Sequence, residues 1–332
     1  MFIGWREIRR SAGKFGVMIS VIAMLAFLVV ALSALTGGLS NQSISAVAAL
    51  PGDGLAVQAD ADGAAVNLVD SRLSEDAVAA VRAADPAAQP MGIVMSGAGA
   101  GERNAAVAVF GRTDADGVRV NPEVAEMLGI ESGSAITIGG VAATVTSVGD
   151  TGMFAHSPVV QVPLDLWREA AHRSELTAMI VTGQPAEFPG VAVVTGGDRL
   201  DLIPGYSSEH SSLLLIQGLL LVISAVVVGA FFAVWTGQRL AGLAVVRAMG
   251  AARSYLLRDG LGQAAVVLAA GLLLGTLAGV GLAVLASGTV PILISAGGVL
   301  IPVAAMAVLG LAGAALALRP LLSVDPLTAL NR

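Results

Sequence analysis

Residues Thr236 to Gly262 read TGQRLAGLAVVRAMGAARSYLLRDGLG, and the layout of the chain turns on this stretch. It carries Arg239, Arg247, Arg253 and Arg258 against one acid, Asp259. Before it, Leu213 to Trp235 holds no charge in 23 residues; after it, none occurs from Gly260 to Leu318. Short basic loops between apolar spans are retained on the cytoplasmic side. Within the stretch, Leu240, Leu243, Ala244, Val246 and Met249 form an apolar stripe at helical spacing. Gly250 then suits a helix stop. The reading is a short cytosolic helix on a membrane protein, either a positive anchor beside lipid headgroups or a contact for another protein.

Composition agrees. Of 332 residues, 55% are apolar and 13% charged, with a mean hydropathy of +0.82. A soluble domain carries about 25% charged residues, so the chain reads as an integral membrane protein with a polar insert. There is no cysteine, which removes disulfides, thiolate metal sites and cysteine nucleophiles. Lys14 is the single lysine, and Gly13-Lys14 is followed by Phe15. A nucleotide-binding P-loop needs Gly-Lys-Ser/Thr, so any ATP that drives this protein is hydrolysed by another chain. Charge divides by segment: residues 1–15, 236–260 and 319–332 together carry net +7, and residues 37–212 carry −13. An inside/outside division produces that asymmetry, and an acidic outer insert argues against nucleic-acid binding.

The segments follow in order. Residues 1–14, MFIGWREIRRSAGK, read as an amphipathic interfacial segment. Phe15 to Thr36 is a first span of 22 residues, matching the ~20 needed to cross the hydrocarbon; it exceeds a signal-peptide core of about 7–15. Residues 37–212 form the extracytoplasmic insert. In it, Asn41 to Ala49 reads as a helix extending off the first span, and Leu55 starts a strand. Ser74 to Ala84 is a capped helix ended by Pro86 and Pro90. Gly92–Met95 and Ala105–Gly111 are strands, with Gly97–Gly101 a hairpin loop between them. Asn121 caps a helix with Pro122 at its first position and Gly129 at its stop. Two alternating runs flank Gly139-Gly140, a hairpin signal. Pro163–Ala171 is a short helix, and Met179–Val181 and Val191–Val194 are strands. The insert is a mixed α/β domain. Residues 213–235 are the second span, 236–260 the cytosolic loop, 261–288 the third span, 296–318 the fourth and 319–332 a cytosolic tail. The last two spans join near Ser287–Pro291 or near Gly297-Gly298. Gly271, Gly275, Gly279 and Gly281 are placed for close helix contact. The fold class is therefore four transmembrane α-helices with a mixed α/β extracytoplasmic domain between the first and second, N- and C-termini cytoplasmic, in a multi-pass bacterial cell membrane protein.

Glu209 stands four residues before the uncharged second span, at its outer mouth. A carboxylate beside lipid is costly unless paired or bound; it either marks the membrane edge or holds a cation. His156 and His172 are both in the insert, with no second ligand at useful spacing, and His156 reads as a loop stabiliser or a contact for a ligand. No catalytic constellation is apparent, so the chain is not expected to be an enzyme.

Three stretches carry a family resemblance. Gln238-Arg239 with Val246-Arg247-Ala248-Met249-Gly250-Ala251 looks like a coupling helix. Val324 to Leu330 looks like the C-terminal tail, and Asn121 to Gly149 like the outer-domain core, of FtsX-like, MacB-type (type VII) permeases of ABC transporters. The resemblance implies a permease homodimer in membrane lipid, with separate cytosolic ABC ATPase subunits that bind ATP and are gripped through Gln238, Arg239, Arg247, Gly250 and Ala251. Many members carry a glutamate three residues after the arginine; here that residue is Gly242, which puts an acidic contact with the ATPase there in question. A narrower resemblance is to the haem-exporter permeases (HrtB-type) of Gram-positive bacteria. It rests on Arg6-Glu7-Ile8, the run Leu32 to Leu39, Ala155-His156-Ser157, Tyr206 with Glu209, and Ala230-Phe231-Phe232. It implies an HrtA-like ATPase partner, no intrinsic cofactor, and haem as the transported ligand. By the same resemblance Glu209 would ligate haem iron, with His210, Tyr206 and Met24 as further contacts; Met24 also suits plain span packing. Export would proceed by ATP-driven mechanotransmission. The alternatives are a signalling permease that controls a cell-wall hydrolase and an exporter of another lipophilic toxin or peptide.

Overall fold

The computed structural model describes residues 12–183 and 188–319. The expected amphipathic segment up to Ser11 and the tail beyond Arg319 lie outside the described residues. In chain order the elements are α1 (Ala12–Ala48), β1 (Gly54–Gln58), α2 (Glu75–Ala84), β2 (Gln89–Ala100), β3 (Arg103–Arg112) and β4 (Val118–Val120). Then come α3 (Pro122–Leu128), β5 (Ala135–Ile138), β6 (Val141–Val148), β7 (Met153–Phe154), β8 (Ser157–Pro163) and α4 (Leu164–Ala171). The chain closes with β9 (Ala178–Val181), β10 (Val191–Thr195), a 3-10 turn (Gly196–Leu202), α5 (Tyr206–Ala248), α6 (Arg253–Ala286) and α7 (Ala296–Ala317). Two units result: residues 1–38 with 212–332, and residues 39–211.

The first unit contains the apolar parts of α1, α5, α6 and α7, which among the described residues are the four helices long and apolar enough to cross a membrane. Water would strip such helices of their reason to separate; in lipid they associate through close packing instead. Glycine supplies that packing. A Cβ on Gly271 would lie 2.6 Å from Ile22 Cγ2, one on Gly275 would meet the Ala23 carbonyl and Ala26, and one on Gly279 would lie 2.9 Å from Val30. These three set α6 against α1. Gly281, expected on the same seam, has open space beside it. At 3.6 residues per turn it is two positions past Gly279 and so faces away. The connection between α6 and α7 is residues 287–295, the first of the two expected places; Gly297-Gly298 lies inside the first turn of α7. It runs back along α1: Leu293 N–H donates to Ala34 O (3.1 Å), and a Cβ on Gly38 would collide with the Pro291 carbonyl.

The helix that carries the expected second span, residues 213–235, extends past it at both ends. α5 is one helix of 43 residues from Tyr206 to Ala248, so the basic stretch continues the helix rather than starting a separate one. Single glycines at 237 and 242 weaken a helix by about 1 kcal/mol each without breaking it. The first true stop is Gly250, at φ 99°.

In the second unit a ten-stranded sheet runs β10-β1-β9-β2-β3-β8-β4-β6-β5, with β7 paired to β8. The β3–β8 and β4–β6 pairs are parallel and the others antiparallel. β2 also pairs with β5 (Ala98↔Ile138, Gly99↔Thr137), which closes β2, β3, β8, β4, β6 and β5 into a ring. The expected hairpin loop at Gly97–Gly101 is thereby corrected. β2 runs to Ala100, and the turn is only Gly101-Glu102. Glycines inside a strand permit a second backbone to approach, here that of Gly139, whose N–H donates to Gly97 O (3.0 Å).

The central strands bury both faces, whereas β5 and β6 leave one face largely exposed. In β3, Val107 and Val109 face one core, with Leu73, Val81, Val124 and Trp167; Ala108 and Phe110 face another, with Val47, Leu55, Phe154 and Ile203. Period-two alternation divides the side chains between two layers, and helices cover both. The expected caps form: Ser74 Oγ accepts from Ala77 N–H, and Asn121 Oδ1 from Glu123 N–H, with Gly129 in the left-handed region. Trp167 on α4 is fully buried across Gly92 and Gly111, a directly opposed pair in the β2–β3 ladder.

Candidate functional site

The candidate site assembles where the end of α1, the β7–β8 turn and the first turn of α5 meet, all within residues 39–211. β7 and β8 are joined by two residues, Ala155 and His156, both at positive φ (46° and 62°). Two-residue hairpins of this type favour Asn-Gly because left-handed backbone costs other residues about 1–2 kcal/mol each. Neither residue here is glycine, so the turn is held by its surroundings. The holding contacts are visible. Ala155 N–H donates to Ser43 O and His156 N–H to Gln42 O, each at 3.1 Å. Met153 N–H donates to Ser45 Oγ (2.8 Å). Gly152 packs so closely that a Cβ there would lie 2.7 Å from the Ala46 backbone.

Fixed in this way, the His156 ring reaches two partners through one nitrogen. Its Nε2 is 3.0 Å from Ser43 Oγ and 3.0 Å from Glu209 Oε2. An ionised carboxylate only accepts, so the proton of this pair sits on Nε2, and Ser43 Oγ shares it as a second acceptor. The pair is partly exposed, with 43% of the His156 side chain and 36% of the Glu209 side chain accessible. The bond engages Oε2 of Glu209; Oε1 makes no hydrogen bond among the described residues. One turn along, His210 stacks on Tyr206 (centroids 5.3 Å, interplanar angle 24°), and Ser40 Oγ lies 3.4 Å from His210 Nδ1. Burial and the nearby Asp201 carboxylate hold the Tyr206 phenol above its ordinary pKa, so it is neutral and a hydrogen-bond donor at physiological pH.

Three of the residues singled out in sequence, Tyr206, Glu209 and His210, thus share one turn of α5. The structure adds His156, Ser43 and Ser40. His156, read in sequence as a loop stabiliser or a ligand contact, has a partner in Glu209 that stands 53 residues away, a separation that no motif rule searches. Met24 belongs to the other unit, with a side chain 65% exposed in the apolar part of α1. No group of three or more metal-ligating side chains occurs among the described residues.

The basic stretch offers a second candidate surface, for a protein partner. The chain reverses at 249–252 between α5 and α6, and Met249 (75%), Val245 (54%) and Tyr255 (40%) expose apolar side chains there. Gln238 is exposed and its Oε1 accepts from Lys14 Nζ (3.3 Å). Ala251 N–H donates to Val246 O (3.3 Å) behind Gly250. Arg239 and Arg247 lie on α5, but their side chains fall outside the described residues.

Together these features define a four-span integral membrane protein with an α/β domain inserted between its first and second spans. No known protein-family profile matches the chain. It is similar to hemin transport system permease proteins named HrtB from two staphylococci. The protein from Staphylococcus haemolyticus is 27% identical over 199 residues, 56% of this chain and 55% of that protein, so the match spans about half its length. The protein from Staphylococcus epidermidis is 21% identical over 100% of this chain and 99% of its own. Among solved structures, the extracellular domain of the noncanonical ABC-type transporter YknZ from Gram-positive bacteria aligns with 40% of this chain and 84% of its own, at 12% identity and a TM-score of 0.31.

Proposed function

We propose that this chain is the permease subunit of an ABC-type efflux pump in a bacterial cell membrane, and that its cargo is haem. The observation that carries the reading is the likeness to a hemin-transport permease along the whole chain. The Glu209 cluster supplies a place for the cargo. Ferric iron favours oxygen donors, and protein control of haem runs through axial ligand and pocket. Glu209 offers a carboxylate oxygen, and the stacked Tyr206–His210 pair offers an aromatic face beside it. Glu209 Oε1, which makes no hydrogen bond among the described residues, would meet the iron, while the bond from His156 to Oε2 holds the carboxylate in place.

The basic stretch sets the orientation. By the charge rule the ends of the chain and residues 236–260 face the cytosol, and residues 37–212 face out. The permease works as a homodimer with two copies of a cytosolic ATPase of the HrtA kind. That partner grips the 238–251 region, where Val245 and Met249 are exposed. ATP-driven closure of the ATPases is passed through α5 to the outer cluster, and haem leaves from the outer leaflet without crossing a central channel. No step of ATP hydrolysis belongs to this chain, which has no P-loop. The test is haem tolerance in a sensitive bacterial host carrying the permease with its ATPase. The pair should raise tolerance and Glu209→Gln, at equal expression, should abolish the gain. A mutant as protective as the parent would displace the site; no protection by the pair would overturn haem as the cargo.

A further inference from the structure

The mouth of a cavity of about 270 Å³ in the membrane unit is formed by Lys14, Gln238 and Trp235, and its walls by Val17, Phe231 and Val234. It lies between the start of α1 and the middle of α5. Its interior is apolar, and Val17 (59%) and Val234 (62%) are exposed along it. The chemistry is therefore split, with hydrocarbon below and the Lys14 ammonium above. Lys14 is the only lysine in 332 residues. Its Nζ donates to Gln238 Oε1 (3.3 Å) and lies 5.8 Å from the centre of the Trp235 ring. That hydrogen bond uses one of the three donors of an ammonium group. Because the Gln238 oxygen accepts, its amide NH2 is a second donor at the same mouth. Trp235 packs edge-on against Phe15 (4.7 Å), which fixes the indole as a wall at the headgroup level where tryptophan collects.

We propose that this cavity is a binding site for one anionic phospholipid of the leaflet that faces Lys14. The headgroup phosphate sits on Lys14 Nζ and the Gln238 amide, and the upper part of one acyl chain lies between Val17, Phe231 and Val234. A lysine at a membrane surface attracts anionic lipid, and the inner leaflet is the anionic one. The assignment to that leaflet rests on the orientation given above; the preference for anionic lipid does not. The lipid ties the first span to the second at the root of the stretch through which the ATPase would act.

The experiment is native mass spectrometry of the full-length protein, released from nanodiscs of equal phosphatidylglycerol and phosphatidylcholine. The parent should retain one phosphatidylglycerol per chain in preference to phosphatidylcholine. Lys14→Gln should cut that preference roughly fivefold, the contribution of one surface lysine, and Lys14→Arg should restore it. Val234→Trp keeps the charge, fills the cavity from a lipid-facing position, and should lose the bound lipid as well. Equal retention of both lipids by the parent, or an unchanged preference in Lys14→Gln, would overturn the proposal. So would a change in subunit number without a change in lipid, which would mean that a second copy of the chain covers the cavity. Haem tolerance is read separately, so failure here leaves the cargo assignment intact and the reverse also holds.

Discussion

Trp167 gives the most quantitative test of the outer domain. Its ring lies across Gly92 and Gly111, and a Cβ at Gly111 would stand 2.5 Å from Trp167 Cγ. Gly111→Ala forces the indole or the strand to move, an overpacking cost of about 1–3 kcal/mol. Trp167→Ala removes a fully buried indole and leaves a void, at about 3–5 kcal/mol. In a domain of this size each kcal/mol lowers the midpoint by about 2–4 °C. The single mutants should therefore melt about 2–12 °C and about 6–20 °C below the parent. The double mutant decides the matter. With the indole gone the added methyl has room, so Gly111→Ala should cost less than about 0.5 kcal/mol in the Trp167→Ala background, a coupling typical of residues in contact. The assay is thermal unfolding of the full chain in detergent, followed by circular dichroism in the sheet band. Additive losses would refute the stacking of Trp167 on the glycine pair.

Other expectations follow from single contacts. Gly275→Leu should loosen the membrane unit by about 1–3 kcal/mol, the range for overpacking, because any side chain there meets Ala23 and Ala26; Gly281→Leu, beside open space, should melt like the parent. Hydrogen bonds from Thr182 and from the Ala87 and Ala88 backbone hold the Asp85 carboxyl below its ordinary pKa. A depressed carboxylate stabilises the fold above its unfolded pKa and loses that contribution as pH falls through the folded one. Asp85→Asn should therefore lower stability at neutral pH and flatten the decline below about pH 4, as read by melts across an acid series. Arg247→Glu should abolish stimulation of the partner ATPase while leaving haem binding in place, and unchanged stimulation would remove Arg247 from the coupling surface.

Local chemistry made much of the fold readable. Ser74, Asn121 and Gly129 announce helix ends because each satisfies or releases backbone groups at a known offset, and Gly139-Gly140 announces a hairpin because both residues take positive φ. Long-range geometry did not show. β8 went unread because Pro158 and Pro163 flank VVQV and argue against a strand. Pro158 is tolerated because it sits at the end of β8 opposite Met153 of the short β7. The closure of β2 on β5 depends on a pairing that no turn signal encodes. α5 runs through the basic stretch because charge marks where a helix leaves the membrane, not where it ends. In the candidate site, Tyr206, Glu209 and His210 were visible as neighbours in sequence. His156 was not joined to them, because its position is set by a turn that docks on α1 through Gln42 and Ser43.

The central claim is that Glu209 receives haem at the outer cluster, and a Soret titration of the purified full-length protein in detergent tests it most directly. Glu209→Gln keeps an oxygen acceptor for His156 and removes the charge, so the partly exposed pair should lose no more than about 1 kcal/mol of stability. The account predicts saturable binding by the parent and at least about tenfold weaker binding by Glu209→Gln, a difference of about 1.4 kcal/mol. Saturable binding of equal strength in both, or no saturable binding by the parent, would contradict it.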